Sequence, residues 1–223
     1  NFMDLFPLYN SLRIALISTV ITFFLGIFAA YYIAKAPRLL KGILDCVLTL
    51  PMVLPPTVVG FFLLIIISPN GIIGKYLFQW YNLRITMTWY AAILSTSVVA
   101  FPLMYRTARG AFESFDKNLL YAGQTLGLSN TYIFWKIIMP TCKQGILAGV
   151  VLAFARGLGE YGATSMGAGY TPNRTATIST TVYQLWRQSN DALAYKWVLI
   201  NLFISLAVLL AVNLLEKNQK RGN

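Results

Sequence analysis

The chain has 223 residues, of which 57% are hydrophobic and 11% charged. An ordinary soluble domain carries about 25% charged residues, so the surplus apolar surface of this chain requires lipid. The net charge of +11 would suit a nucleic-acid-binding protein. The basic residues, however, lie between apolar runs and no nucleic-acid-binding motif accompanies them. Composition therefore predicts an integral membrane protein without a nucleic-acid partner.

Several kinds of chemistry are excluded by what the sequence lacks. It contains no histidine, which excludes the usual zinc sites and histidine-based catalysis. It also has no Gly-rich P-loop motif, so we expect it not to bind ATP itself. Cys46 and Cys142 are predicted to be free thiols, because a disulfide framework needs more cysteines. We expect no metal, no cofactor and no enzymatic activity. The sequence opens on Asn1 rather than Met, and we expect a few residues to precede it.

Five apolar runs are long enough to cross a bilayer, which takes about 20 residues of helix. The first run is too long for a signal-peptide core and is predicted to be a retained span. A further segment, residues 173–193, is too polar to span and is predicted to form a short outer helix. We predict an all-α polytopic transmembrane bundle in a single domain, residues 1–223, with about five spanning helices: Ile14–Ala34, Cys46–Ser68, Ile85–Tyr105, Gln144–Ala168 and Trp197–Leu215.

The lysines and arginines give these spans an orientation, because they accumulate in cytoplasmic connections. Eleven of the 18 basic residues fall in the connections on one side and six fall on the other, and only Arg156 lies within a span. The side with eleven is predicted to be cytoplasmic. The N-terminus is then outside and the C-terminus in the cytoplasm.

The polar segment Phe112–Pro140, between the third and fourth spans, has the pattern of two short helices. Its apolar residues recur at helical spacings, and Gly127 then stops the first helix as a C-terminal residue would. Ser129 or Asn130 can cap a second helix, which we expect Pro140 to end. The pattern predicts a helix–turn–helix in the cytoplasm. An ordinary amphipathic connector would explain it equally well.

This segment resembles the coupling loop of ABC importer permeases. The loop pattern is Glu-Ala-Ala, three residues, Gly, nine residues and Ile-x-Leu-Pro. With Gly127 at the glycine, Ile137 and Pro140 stand at the required distances, while Tyr121 replaces the glutamate. That departure removes a carboxylate but leaves the helix–turn–helix shape. The resemblance implies that residues 110–143 dock on an ATPase, with contacts at Ala122, Gly123, Gly127, Ile137 and Pro140.

The second span contains Pro51, Pro55 and Pro56, which remove backbone donors and kink a helix. In a membrane, the freed carbonyl groups are tolerated only where protein or water reaches them. The prolines therefore mark either a packing kink or a broken helix that lines a pathway, where Thr57 would offer a hydroxyl. The pattern Leu-Pro-x-Val-Leu-Pro-Pro-Thr-Val-x-Gly closely resembles that of molybdate-type permeases.

The fourth span carries Arg156 and Glu160, four residues apart, which predicts that they share a helix face. Charges within a span mark a pathway or an internal pair, and both interpretations remain open. The surrounding Ala-Arg-x-Leu-Gly-Glu-Tyr-Gly resembles a segment of molybdate and sulfate permeases. The residues that follow, Ala163 and Thr164, favour the molybdate branch. The predicted pathway residues are Pro55, Pro56, Thr57, Arg156, Glu160, Thr164 and Ser165.

These resemblances, which cover nearly the whole chain, are to the molybdate, tungstate and sulfate permease family of ABC importers. They imply a type I importer permease fold in the cytoplasmic membrane, with molybdate as the first cargo and sulfate or tungstate as alternatives. The implied partners are a second copy of the chain, a pair of ATPase subunits, an extracytoplasmic oxyanion-binding protein and membrane lipid. A channel, a secondary transporter or an intramembrane enzyme is disfavoured, because the sequence shows no filter, internal repeat or catalytic pair.

Overall fold

The computed structural model describes the backbone of residues 4–220 and the side chains of residues 4–210. All regular secondary structure in that part of the chain is helical, which confirms the all-α prediction. A π-helical turn, Phe134–Ile138, separates α7 from α8. The helices are α1 Phe6–Ala34, α2 Arg38–Val53, α3 Pro56–Ile67, α4 Gly74–Tyr81, α5 Trp89–Glu113, α6 Lys117–Thr125, α7 Asn130–Ile133, α8 Met139–Thr141, α9 Lys143–Leu158, α10 Gly162–Gly167, α11 Ile178–Arg187 and α12 Asp191–Lys220.

The centre of the bundle is a three-helix contact between α1, α5 and α9. Met104 of α5 is fully buried there. A Cβ atom added at Gly26 of α1 would lie 2.8 Å from Met104 Cγ, and one added at Gly149 of α9 would lie 2.9 Å from its Sδ. The two glycines therefore let their helices approach Met104, as small residues do between membrane helices.

The candidate spans consist of three single helices and two bent pairs. The helices α1, α5 and α12 are long and apolar enough to cross a membrane, with α12 assessed as far as residue 210. The bent pairs are α2 with α3, and the α7–α8 segment with α9. Counting each pair as one span gives five by length and composition, the predicted number, although α7–α8 belong to the segment predicted to be cytoplasmic. The helices also extend beyond the predicted apolar runs, since α1 begins at Phe6 and α5 continues to Glu113.

The second predicted span, Cys46–Ser68, is a broken helix, which is one of the two alternatives that its prolines left open. Helix α2 ends at Val53, the backbone of Leu54 and Pro55 is extended, and α3 starts again at Pro56. The two helices meet at 109°. The adjacent prolines explain the break, because neither has an N–H and each disfavours helical geometry in the preceding residue.

The fourth span, Gln144–Ala168, is likewise not one helix. Helix α9 ends at Leu158, and the short helix α10 begins at Gly162. Glycine destabilises a helix by about 1 kcal/mol relative to alanine, so Gly157, Gly159 and Gly162 favour a break here. The 16 residues of α9 span about 24 Å. That is shorter than the hydrocarbon core of about 30 Å.

Candidate translocation and coupling sites

The predicted helix–turn–helix is present in the coupling segment, residues 110–143. Asp116 caps the start of α6 with its side chain. At the other end, Gly127 has a φ of +74°. Its N–H donates to the carbonyl of Gln124 at 2.9 Å, and the N–H of Leu128 donates to the carbonyl of Gly123 at 3.1 Å. These two bonds form a Schellman motif, which needs a left-handed residue such as glycine at its turn.

For the residue that caps the second short helix of the segment, the sequence left two candidates, Ser129 and Asn130. Ser129 is the cap, because its hydroxyl accepts from the N–H of Tyr132 at 3.3 Å. The helix then continues through the π turn and α8 to Thr141, so Pro140 lies inside it and does not end it. Because proline has no N–H to donate, a relaxed helical turn before Pro140 is expected. The chain bends by 74° before α9.

The five predicted coupling residues do not share one surface. Gly123 is buried, and a Cβ added there would lie 3.1 Å from Ile133 and 3.4 Å from Ile137. Gly123 and Ile137 therefore hold the two short helices together. Ala122, Gly127 and Pro140 are exposed, and so is Leu126 beside the turn, with 78% of its surface accessible. Sequence reasoning missed Leu126, although an apolar residue just before a predicted turn glycine was a usable signal.

The structure brings together two helix breaks that lie far apart in the sequence, the first between α2 and α3 and the second between α9 and α10. The first turn of α3 packs against α10. A Cβ added at Gly162 would lie 2.9 Å from Pro56 Cβ and 3.0 Å from the backbone nitrogen of Thr57. A Cβ added at Gly60 would lie 2.7 Å from Ala163 Cα. Only glycine at positions 60 and 162 permits this close approach. The break between α2 and α3 therefore packs directly against the break between α9 and α10.

Glu160 connects the two sides of the second break. One oxygen lies 2.6 Å from Arg156 Nη1, an ion-pair contact that is not aligned as a hydrogen bond. The other oxygen accepts from the N–H of Ala163 at 2.7 Å. Glu160 is 3% exposed, whereas the Arg156 side chain is 31% exposed. The pair therefore exists, but the predicted shared helix face is wrong, because Glu160 lies beyond the end of α9.

The predicted pathway hydroxyls differ in their surroundings. The Thr164 hydroxyl is buried, 3.4 Å from the hydroxyl of Thr96 on α5. Ser165 donates to the carbonyl of Gly162 at 2.9 Å. Thr57, in contrast, is exposed on the surface of the chain. Pro55 is also exposed and Pro56 is partly buried. Another molecule can thus reach the exposed Thr57 and the partly exposed Arg156 and Ser165, but not the buried Thr164.

A charged cluster that sequence reasoning missed joins α2 to the end of α5. Arg109 pairs with Asp45 and, through its Nε at 2.9 Å, with Glu113. Lys41 also pairs with Glu113. The sequence offered a usable signal for this cluster. The chain has only seven acidic residues, and two of them, Asp45 and Glu113, lie near the ends of apolar runs, where they are candidates for ion pairs. The cluster lies beside the start of the coupling segment.

Comparison with known families decides the class of protein. A family described as the inner membrane component of binding-protein-dependent transport systems matches residues 22–221. The chain belongs to this family. It is therefore a multi-pass membrane protein of the permease type, as the coupling-loop resemblance implied.

Curated members of the permease family resemble the chain over most of its length. The molybdenum transport permease ModB of Haemophilus influenzae is 37% identical over 98% of this chain and 96% of its own. The sulfate transport permease CysW of Synechococcus elongatus is 31% identical over 95% of this chain and 73% of its own. The resemblance is thus higher and more complete for the molybdenum permease.

A solved structure shows the same fold. A chain of a bacterial alginate ABC transporter, solved in complex with a pentasaccharide-bound periplasmic protein, superposes with a TM-score of 0.76. The alignment covers 98% of this chain and 80% of that chain at 18% identity. At this identity the likeness concerns the fold alone, and it confirms the predicted type I ABC importer permease fold.

Proposed function

We propose that this chain is the membrane-spanning subunit of an ABC importer that carries molybdate across the cytoplasmic membrane. The observation that carries the proposal is the contact between the two helix breaks, where Thr57 is exposed and Arg156 is partly exposed. Broken helices supply polar backbone within a membrane where a pathway needs it. The higher identity to the molybdenum permease favours molybdate over sulfate.

A conduit for an oxyanion needs polar contacts that are favourable but brief. An unpaired dianion in hydrocarbon costs many kcal/mol, so the pathway must offer hydroxyls, backbone amides or a cation along its length. Arg156 already shares its charge with Glu160 at 2.6 Å. This neutralisation weakens its attraction for an anion and keeps release fast. Selectivity then resides in an extracytoplasmic oxyanion-binding protein that delivers the cargo.

We further propose that the transporter contains two copies of this chain in one orientation, with each copy a single domain, residues 1–223. Pro55 and Thr57 face away from the helix bundle, and α2 has no buried residue. These surfaces would line a path only when a second copy faces them across a two-fold axis. In this proposal the N-terminus lies outside and the coupling segment lies in the cytoplasm, an orientation that the basic bias of the connections favours.

Two ATPase subunits would dock on the coupling segments and supply ATP hydrolysis. The exposed residues Ala122, Leu126 and Gly127 form a small knob at the turn. The Schellman motif fixes the shape of this knob. A partner can therefore recognise it by shape, which suits a segment that lacks the coupling-loop glutamate.

The decisive test is uptake by proteoliposomes that contain this chain, its ATPase and its binding protein. We expect ATP-dependent uptake of molybdate. Thr57→Val should lower uptake without changing thermal stability, whereas Thr164→Val should change stability, because Thr164 is buried against Thr96. Saturating uptake of sulfate with no uptake of molybdate would contradict molybdate as the cargo. Equal uptake with and without ATP would contradict the proposal that the protein belongs to an ATP-driven importer.

Orientation has its own test in intact cells. In a Cys46→Ser background, a cysteine at the exposed position Asn70 should react with an impermeant thiol reagent. A cysteine at Ser129 should be protected. The opposite labelling pattern would reverse the proposed topology.

Sulfate and tungstate remain the alternative cargoes, because sulfate permeases also match the chain and tungstate has the same charge and shape as molybdate.

A further inference from the structure

We propose that the end of α1 and the coupling segment form a binding site for an anionic phospholipid of the cytoplasmic leaflet. Two cavities carry this inference, and Tyr31 borders both of them. Neither cavity is lined by a residue of the proposed pathway or of the five coupling positions. The choice of leaflet rests on the orientation given under Proposed function.

The first cavity, the head cavity, has a volume of about 340 Å³ and an excess of positive charge. Its charged lining consists of Lys35, Lys41, Lys117 and a single carboxylate, Glu113. Glu113 is already engaged by Lys41 and by Arg109. Lys35 and Lys117 are exposed, and no ion pair is found for either in the described part of the chain. Two available ammonium groups beside a neutralised pair are suited to a phosphate group.

Lys35 is held at the rim of the head cavity by an aromatic contact. Its Nζ lies 3.7 Å from the centroid of the Tyr31 ring, which is a cation–π geometry. Lys117, the first residue of α6, also lines this cavity. The uncharged lining of the cavity is mostly hydrophobic and includes Phe112 and Phe115. A headgroup would meet the two lysines, and its glycerol end would meet hydrocarbon.

The second cavity, the aromatic groove, has a volume of about 310 Å³. It runs between the outer face of α1 and the α7–π segment. Several of its α1 residues are well exposed, including Phe24, Phe28 and Tyr32. Its aromatic lining comprises Phe23, Phe24, Phe28, Tyr31, Tyr32, Phe134 and Trp135.

The two cavities together favour a phospholipid over a free anion. A free oxyanion would use the lysines and leave the aromatic groove without a role. A phospholipid satisfies both, with its phosphate in the head cavity and an acyl chain in the groove. Anionic lipids of the cytoplasmic leaflet attract basic residues that lie next to a span. The bound lipid would hold the coupling segment against α1.

The test titrates the purified full-length chain in detergent with phosphatidylglycerol, with phosphatidylcholine of the same acyl chains, or with inorganic phosphate. Binding is measured by native mass spectrometry and by the shift in melting temperature. We expect selective binding of phosphatidylglycerol. Each lysine near the headgroup contributes about fivefold in affinity. The double variant Lys35→Gln/Lys117→Gln should therefore bind about 25-fold more weakly.

Two matched variants control for charge and fold. Lys136→Gln/Lys143→Gln removes two exposed lysines of the same segment that line neither cavity, and it should bind as the wild type does. Lys35→Arg/Lys117→Arg keeps both charges and should also bind. Phe24→Ala/Phe28→Ala should reduce the preference for long over short acyl chains.

Three outcomes would overturn the proposal. They are equal binding of the two phospholipids, undiminished binding by Lys35→Gln/Lys117→Gln, and reproduction of the melting shift by inorganic phosphate, which would make this a site for a free anion. The assay contains no ATPase, binding protein or molybdate. Its failure would therefore leave the proposed transport function standing, and failure of uptake would leave the lipid site standing.

Discussion

The coupling turn and the paired helix breaks both interrupt helices, but different forces specify them. At the coupling turn, Gly127 adopts its left-handed conformation in open space, since a Cβ added there would meet nothing within 4 Å. At the paired breaks, Gly162 has an ordinary backbone conformation, but there is no space for a side chain because Pro56 packs against it. The first glycine is required by local backbone geometry and the second by a neighbouring helix. The comparison predicts which substitutions each site tolerates.

The largest effect is expected at the ion pair of the second break. Arg156→Gln leaves the buried Glu160 carboxylate with only the Ala163 N–H as a partner. Breaking a buried pair in this way costs about 3–5 kcal/mol. Glu160→Gln should cost less, because its amide oxygen can still accept from Ala163 and Arg156 is partly exposed. Thermal unfolding of the purified variants measures both, and equal stability of Arg156→Gln and the wild type would contradict a structural pair.

A smaller loss is expected from filling the contact between the breaks. Gly162→Val places atoms within 3.0 Å of Pro56 and Thr57, and such overpacking costs about 1–3 kcal/mol. Gly159→Ala is the control, since its nearest neighbouring atom would be 3.8 Å away. In a Cys46→Ser background, the buried Cys142 reports unfolding through a thiol-reactive dye. Identical unfolding temperatures of Gly162→Val and Gly159→Ala would show that the two breaks are not tightly packed against each other.

At the coupling turn, the expected loss of stability is about 1–2 kcal/mol, the cost of a left-handed residue with a side chain. Gly127→Val should express and dimerise normally but lose uptake, because a distorted turn alters the knob that we propose the ATPase recognises. Gly127→Asn should retain uptake, since asparagine tolerates this conformation. The measurements are expression, dimer formation, ATPase association and uptake. Normal uptake by Gly127→Val would mean that the segment is only a connector.

The smallest effect is expected in the charged cluster between α2 and α5. Asp45→Asn removes one partner of Arg109 but leaves Glu113 in place. Because all these side chains are partly exposed, the loss should not exceed about 1 kcal/mol. A double-mutant cycle with Arg109→Gln isolates the pair. A coupling energy that is unchanged by high salt would contradict a solvent-screened pair.

The sequence predicted the elements whose cause is local. The apolar runs predicted the number of spans, Ser129 is one of the two caps that the sequence offered, and Gly127 marks the turn. Each of these depends on residues within one or two helical turns. The same local logic failed at Gln144–Ala168, where a long apolar run concealed a break. Apolar content indicates that a segment enters the membrane but does not establish that its helix is continuous.

By itself, therefore, the sequence determined the membrane class, the approximate spans, the coupling turn and the family resemblance. Only the tertiary structure decided that Gly162 packs against Pro56, that Gly123 is buried and that Thr57 is exposed. It also separated the roles of Arg156 and Glu160 by burying one and leaving the other partly accessible. The physical reason is that burial and close approach depend on which helices become neighbours. That information is distributed over residues far apart in the chain.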